Sequence, residues 1–362
     1  MKSLKECYKK LLNNTQEWSY YDNPPYLKMD TMYDSKESLK FIKEYFKCGR
    51  KGTLFDNLDA QSDEILMKKS QHIISTYLLG IIIYKSLKRH IEKNQNIDDN
   101  FKYLWFLSCL YHDIGYIYEE ELNCKNLRTL QADGIEGLKK FCNIEYLYTG
   151  KFKPYTKEHI NVYLSERARC RDGCTGVIDH GIIGGFLLYD RLRKNYETAW
   201  NKVKQRKIKV TRKSFEYGGL LFSEEHFDYY EKAAQAIIVH NIWRNTLKKY
   251  LAEKDEENAG IEDIKKISIV NPIAYILALA DTLEPIKKYG IDSLANTYYG
   301  EETNGFIYSF GKCGKKSMVE CINDLKNWVD VEIEDQSGSG IWINEGRKDD
   351  EFHRIILRKL NN

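Results

Sequence analysis

Apolar residues recur along most of this chain at helical rather than strand spacing. Leu39, Ile42 and Phe46 mark one face of a segment, ESLKFIKEYF, that Asp34-Ser35 is placed to cap. Asp56 to Asp63 reads as loop, and from Glu64 to about Ile91 the helical pattern is strong, with His72 near its start. The most apolar stretch follows: FKYLWFLSCLYHDIGYIYEE, Phe101 to Glu120, predicts a helix buried on most sides that ends near His112-Asp113. Asp179-His180-Gly181 opens a further helix whose Gly181, Gly184 and Gly185 imply close approach of another backbone. Asp228 to Arg244 places Ala233, Ala236, Ile237 and His240 on one face. Asn271-Pro272 starts a helix through IAYILALADTLEP that carries Asp281 and stops at Pro285. Residues 252–266 read as charged loop. Beyond about residue 300 the pattern changes: Ser317 to Trp328 fits an amphipathic helix, and VDVEIED, GIWINE and HRIILRKL read as short strands. The expected fold is mostly α. It comprises a helical lead-in over 1–60, a helical core over 61–295 with insertions at 116–178 and 195–227, and a small α+β C-terminal element over 300–362.

Composition narrows the class. The 362 residues are 42% apolar and 30% charged, the balance of a globular protein, and 27 Tyr against 5 Pro suit a helical chain with many half-buried faces. Lys+Arg at 56 against Asp+Glu at 53 leaves a net charge of +3, weak for a protein that grips long nucleic acid. The basic run Asn201 to Lys213 reads first as a solvated loop or hairpin and second as a phosphate-attracting rim. MKSLKECYKK has no apolar core of a signal peptide, and TYLLGIIIY is too short to span a bilayer. The nine Cys form no CxxC, and Cys170 and Cys174 have no second pair with which to complete a structural zinc site. The expectation is a cytoplasmic protein with no membrane partner.

The chemistry lies in polar residues delivered from apolar helices: His72, His112-Asp113, His180, His240 and Asp281. Each costs desolvation unless the groups meet one another or a cation. Imidazoles with carboxylates and no cysteine suit iron, manganese, zinc, cobalt or related divalent ions. His90, His159, His226 and His353 stand in charged or loop settings and fall outside the set.

This ordered set resembles the HD-domain metal-dependent phosphohydrolases in their two-metal version. LADTLEP is similar to the ADxxEP segment of bacterial HD hydrolases that split diadenosine tetraphosphate symmetrically, and DHGIIGGFLL is similar to their H-x-x-x-G-A stretch, with Gly185 in place of Ala. Cyclic-dinucleotide phosphodiesterases of the HD-GYP type share the ligand order, although the GYP signature is missing here. The resemblance covers about residues 64–290 and implies an HD-type helical core. It implies one metal on His72, His112, Asp113 and Asp281, and a second on His180 and His240 with Asp113 bridging. Two divalent ions (Fe, Mn, Zn, Co or Mg, with transition metals favoured) would then supply a bridging hydroxide that attacks a phosphodiester or phosphoanhydride of a nucleotide or dinucleotide, with His112 and Asp113 central to catalysis. Many relatives carry HDxGK, with a lysine on the substrate phosphate, where this chain has Tyr116. Arg244, Lys287 and Lys288 are candidates to replace that cation. Asp179 fits a helix N-cap or a group that orients a ligand. The alternatives are a nuclease of the same centre acting on single-stranded RNA or DNA, and a non-catalytic nucleotide sensor.

Overall fold

The computed structural model describes residues 1–56, 58–91, 100–120, 124–148, 155–169, 176–206, 211–254, 271–302, 305–311, 323–324, 332–333 and 352–358. The fold is mostly α with small sheets, as the apolar spacing predicts. A capping box of Ser3 and Glu6 starts α1 (Leu4–Leu12), followed by α2 (Thr15–Trp18), α3 (Met29–Tyr33) and α4 (Ser35–Cys48). Asp34 accepts hydrogen bonds from the Lys36 and Glu37 amides and so caps α4. The loop expected over 56–63 is shorter than the sequence suggests. The Asp59 carboxylate accepts from the Ser62 amide at 2.8 Å, and α5 (Ala60–Ile91) begins at once.

The apolar stretch at Phe101 divides. Its helix α6 (Phe101–Cys109) stops short of the His-Asp pair, which lies in the turn leading to α7 (Tyr116–Glu120). The insertion at 116–178 carries two further helices, α8 (Cys124–Phe141) and α9 (Lys157–Arg167). The second insertion starts later than expected, because α10 (His180–Gln205) continues unbroken through residue 195. Strands β2 (Ser214–Tyr217) and β3 (Leu220–Ser223) then form a hairpin whose turn residues, Gly218 and Gly219, have φ of 62° and 79°. Next come α11 (His226–His240), α12 (Arg244–Glu253), α13 (Pro272–Leu283), α14 (Ile286–Tyr289) and α15 (Ser293–Asn296). The helix expected over 228–244 is therefore two helices separated by a turn.

Helices α5, α6, α10, α11 and α13 pack on one another and form the core that carries the candidate residues. Close approach explains Gly80 in the middle of α5: a Cβ there would meet the Trp105 ring of α6 at 1.9 Å. On the outer side of α6, Phe106 packs against Tyr21, Tyr45 and Phe46, so the N-terminal helices hold α6 in place.

The lead-in and the C-terminal element, read as separate pieces, share one sheet. Its order is β1-β4-β5-β7-β6, with β1 (Lys2–Ser3) paired antiparallel to β4 (Thr297–Glu302), then β5 (Gly305–Gly311), β7 (Phe352–Arg358) and β6 (Glu332–Ile333). VDVEIED and HRIILRKL supply β6 and β7. The GIWINE strand, most of the Ser317–Trp328 helix, residues 255–266 and the Cys170–Cys174 pair lie outside the described residues. Among the described residues no helix is long and apolar enough to cross a membrane.

Candidate metal centre

Five elements converge at one end of the core: α5 brings His72, the turn after α6 brings His112 and Asp113, α10 begins with His180, α11 ends with His240, and α13 brings Asp281. Four of these are helix ends or turns, where backbone groups are free to orient a side chain. His112 Nδ1 lies 2.6 Å from the Cys109 carbonyl, and His240 Nδ1 lies 2.5 Å from the Ile237 carbonyl. A carbonyl can only accept, so each Nδ1 carries the proton and each Nε2 turns a lone pair toward the cluster, the form in which imidazole ligates a metal.

The ligating atoms face one another at short range. His72 Nε2 lies 2.9 Å from Asp281 Oδ1 and 3.7 Å from Asp113 Oδ2. Asp113 Oδ1 is 3.3 Å from His112 Nε2 and 3.5 Å from His180 Nε2. Two triads, His72-His112-Asp281 and His112-Asp113-His240, each have donor atoms within 4.8 Å of one another. His112 belongs to both triads, so the donors form one continuous cluster rather than two sets joined by Asp113 alone. His112 Nε2, both Asp113 oxygens, His180 Nε2 and His240 Nε2 are buried and make no hydrogen bond among the described residues. Five such atoms in one cluster are a large deficit for a folded protein, and a divalent cation or pair of cations would satisfy them. The donor set fits the metals that the sequence suggests.

Burial sets the charge states. It holds His180 well below the ordinary imidazole range and His240 down at about 4, with neighbouring His112 adding to the effect on His240. Both are neutral and ready to ligate at neutral pH. Asp113 and Asp281 stay ionised: burial opposes this, but His112 and Lys287 for Asp113, and Lys287 with His112 and His72 for Asp281, outweigh it. His72 behaves differently. Burial works against its charge, yet hydrogen bonds to Asp281 and to Glu284, whose Oε2 lies 2.7 Å from Nδ1, lift its pKa to about 9. A raised folded-state pKa stabilises the fold fully below pH 6.5 and loses that contribution as pH rises through about 9. For metal-free protein the gap amounts to about 3 kcal/mol. Denaturant unfolding after chelation should show this loss between pH 6.5 and 9, and His72→Gln should remove it; equal slopes in both proteins would refute the assignment.

The cation expected in place of a lysine at 116 is present from another element. Lys287, in α14 and six residues beyond Asp281, has Nζ 3.4 Å from both Asp281 oxygens. Lys288 points elsewhere and pairs with Asp324 at 3.2 Å, and the side chain of Arg244 lies outside the described residues. Tyr116 stacks on His180 with ring centroids 3.8 Å apart, and Lys69 Nζ lies 3.9 Å above the Tyr116 ring. Asp179 takes the expected N-cap role. One oxygen caps α10 through the Ile182 amide at 2.9 Å, and the other accepts from Asn241 Nδ2 at 2.7 Å, which in turn lies 3.5 Å from His180 Nδ1.

Several neighbours escaped the sequence reading. Glu284 and Lys69 sit three residues from Asp281 and His72, so helical spacing alone could have placed them on the same faces. Glu119, 3.9 Å from His180 Nδ1 and raised to about 7 by burial and the charge of Asp179, carried no such signal. The glycines fill their expected role: a Cβ on Gly185 would meet the Ala234 carbonyl of α11 at 2.6 Å, so α10 and α11 lie in backbone contact beside the cluster. Residues 201–206, the first part of the basic run, lie apart from it. Residues 201–205 close α10, about 30 Å along its axis from His180, and Arg212 pairs with Glu197 and Glu224.

No family model, no curated protein and no solved structure matches this chain.

Proposed function

We propose that the protein is a metal-dependent phosphohydrolase that cleaves a phosphodiester or phosphoanhydride bond of a nucleotide or dinucleotide. The observation that carries this reading is the cluster of five unpartnered buried donor atoms on His112, Asp113, His180 and His240, completed by His72 and Asp281. Divalent ions held there would supply charge neutralisation for phosphoryl oxygens and a water acidic enough to attack phosphorus at neutral pH.

The chain's own residues define the rest. His72, His112, Asp113, His180, His240 and Asp281 would hold the ions, and the carbonyls of Cys109 and Ile237 fix the tautomers of two of them. Access is from the Asp281 side, where that carboxylate is 13% exposed and Lys287 is 34% exposed, while Asp113 and His112 are fully enclosed. Lys287 is therefore the group that meets an incoming phosphate. Burial disfavours its charge, but Asp281 and Asp113 hold it protonated well beyond the usual lysine range. Tyr116 and Lys69 wall the His180 side. Rimmed on the Asp281 side by that carboxylate and the Lys287 ammonium, the cluster suits a terminal or small-molecule phosphate better than an internal phosphate of a polymer. The nuclease reading is further weakened by the distance of residues 201–205 of the basic run from the cluster.

Metal analysis of anaerobically purified protein, followed by a panel of dinucleoside polyphosphates, cyclic dinucleotides, mononucleotides and short oligonucleotides, tests the proposal. Bound transition metal with turnover of one small nucleotide class is the expected result. Metal-loaded protein inert toward the whole panel, or cleavage of oligonucleotides alone, would defeat it. Lys287→Met should retain metal and lose on the order of 10²-fold in kcat/KM, the scale of removing one preorganised charge-stabilising donor; unchanged kcat/KM would remove Lys287 from the phosphate-binding role.

A further inference from the structure

A second cavity of about 320 Å³ lies at the opposite ends of α6 and α11 from the metal centre. Asn100 and Tyr103 bring the N-terminal end of α6 to its wall, and Glu225, His226 and Tyr229 bring that of α11. Ten residues of α11 separate Tyr230 at the cavity from His240 at the cluster, about 15 Å of helix. The two sites share helices but no residues.

The cavity's chemistry is specific. Tyr20, Tyr21, Tyr103, Tyr229 and Tyr230 supply aromatic walls. Lys51 supplies a cation: its Nζ donates to the Gly49 carbonyl at 3.3 Å and lies 5.3 Å from the Tyr103 ring centroid, and it has no carboxylate partner among the described residues. Burial alone pulls its pKa down to about 8, the condition of an ammonium without a counter-ion. His226 adds a second nitrogen base, and Glu225 is the one acid among the lining residues. The N-cap residues of α6 and α11, Asn100 and Glu225, both line the cavity and make no side-chain capping bond, so the positive ends of both helix dipoles lie at its wall. The Tyr21 hydroxyl is buried without a hydrogen-bond partner among the described residues. It occupies space that only a glycine at 49 leaves open, since a Cβ there would sit 1.8 Å from it. Aromatic faces, an ammonium without a carboxylate partner and an unused hydroxyl donor thus meet in one cavity.

We propose that this cavity is a second ligand site, built for a small anion that carries a planar ring, of the nucleoside monophosphate class. The ring stacks among the tyrosines and the anionic group lies at Lys51 between the two helix ends. The site stands independently of the reaction proposed for the metal centre, and its test is arranged accordingly.

AMP is titrated calorimetrically into the full-length Asp113→Ala protein, in which the metal cluster is disabled, after chelation. Saturable binding is expected, with adenosine at least tenfold weaker because it lacks the anion. Adding Lys51→Met, which keeps the aliphatic stem and removes the charge, should weaken AMP at least tenfold with an unchanged circular dichroism spectrum. Tyr20→Ala, at the exposed rim, should also weaken AMP and tests the aromatic wall without emptying the core. Absence of saturable AMP binding, or equal AMP affinity with and without Lys51, would overturn the proposal.

Discussion

Replacing Asp113 by Ala should abolish metal retention and reduce any phosphohydrolase activity on the order of 10³-fold or more, roughly 4 kcal/mol of barrier. The reasoning is geometric. Its two oxygens are wholly buried and lie between His72 on one side and His112 and His180 on the other, so no neighbouring carboxylate can take its place. Asp281 is already committed to His72 and Lys287. The variant leaves the four imidazoles of His72, His112, His180 and His240 facing one another, with no bridging anion to hold two cations together. Inductively coupled plasma analysis of wild type and variant purified side by side gives the readout. Full metal content in Asp113→Ala would remove this residue from the centre and the proposed reaction with it.

Gly115→Ala is expected to have the largest effect on the fold of the site although Gly115 touches no metal. A Cβ at this position would lie 2.0 Å from the carbonyl oxygen of His180, and the obstruction is backbone, which cannot rotate away. Either the turn carrying His112 and Asp113 or the first turn of α10 must shift. A cost of about 2–3 kcal/mol follows, in the range of overpacking in a closed core. Metal content should fall as well, because the shift separates Asp113 from His180. Urea unfolding of chelated protein measures the first effect and metal analysis the second; a variant as stable and as well loaded as wild type would show that the two segments are not held in contact.

Much of the fold was legible because helix is a local code. The cap at Asp34, the amphipathic face of α4 and the Asn271-Pro272 start all depend on residues within a turn or two of one another. The six ligand candidates were legible for a related reason, since a histidine or aspartate that interrupts an apolar helix announces a cost that something must repay. What failed depends on long-range pairing. Strands β4 and β5 went unread, although Asn304-Gly305 is a turn signal, because Tyr298-Tyr299 and Phe306-Ile307-Tyr308 break any apolar–polar alternation over 297–311. Pairing of Lys2 with Tyr299 has no local signal at all. Neither does the contact of Glu119 with His180, which depends on how the turn after α6 meets the start of α10. Lys287 was one of three cations named for its position, and only the direction of α14 separates it from Lys288, one residue away and paired with Asp324.

Asp179 joins a helix end to a candidate ligand, since one of its oxygens caps α10 while the other holds Asn241 beside His180. Opening of that first helical turn and loosening of His180 are then the same kinetic event. If His180 holds an ion as proposed, opening of that turn should speed the ion's release, and amide hydrogen exchange at Ile182 followed beside metal loss tests the link.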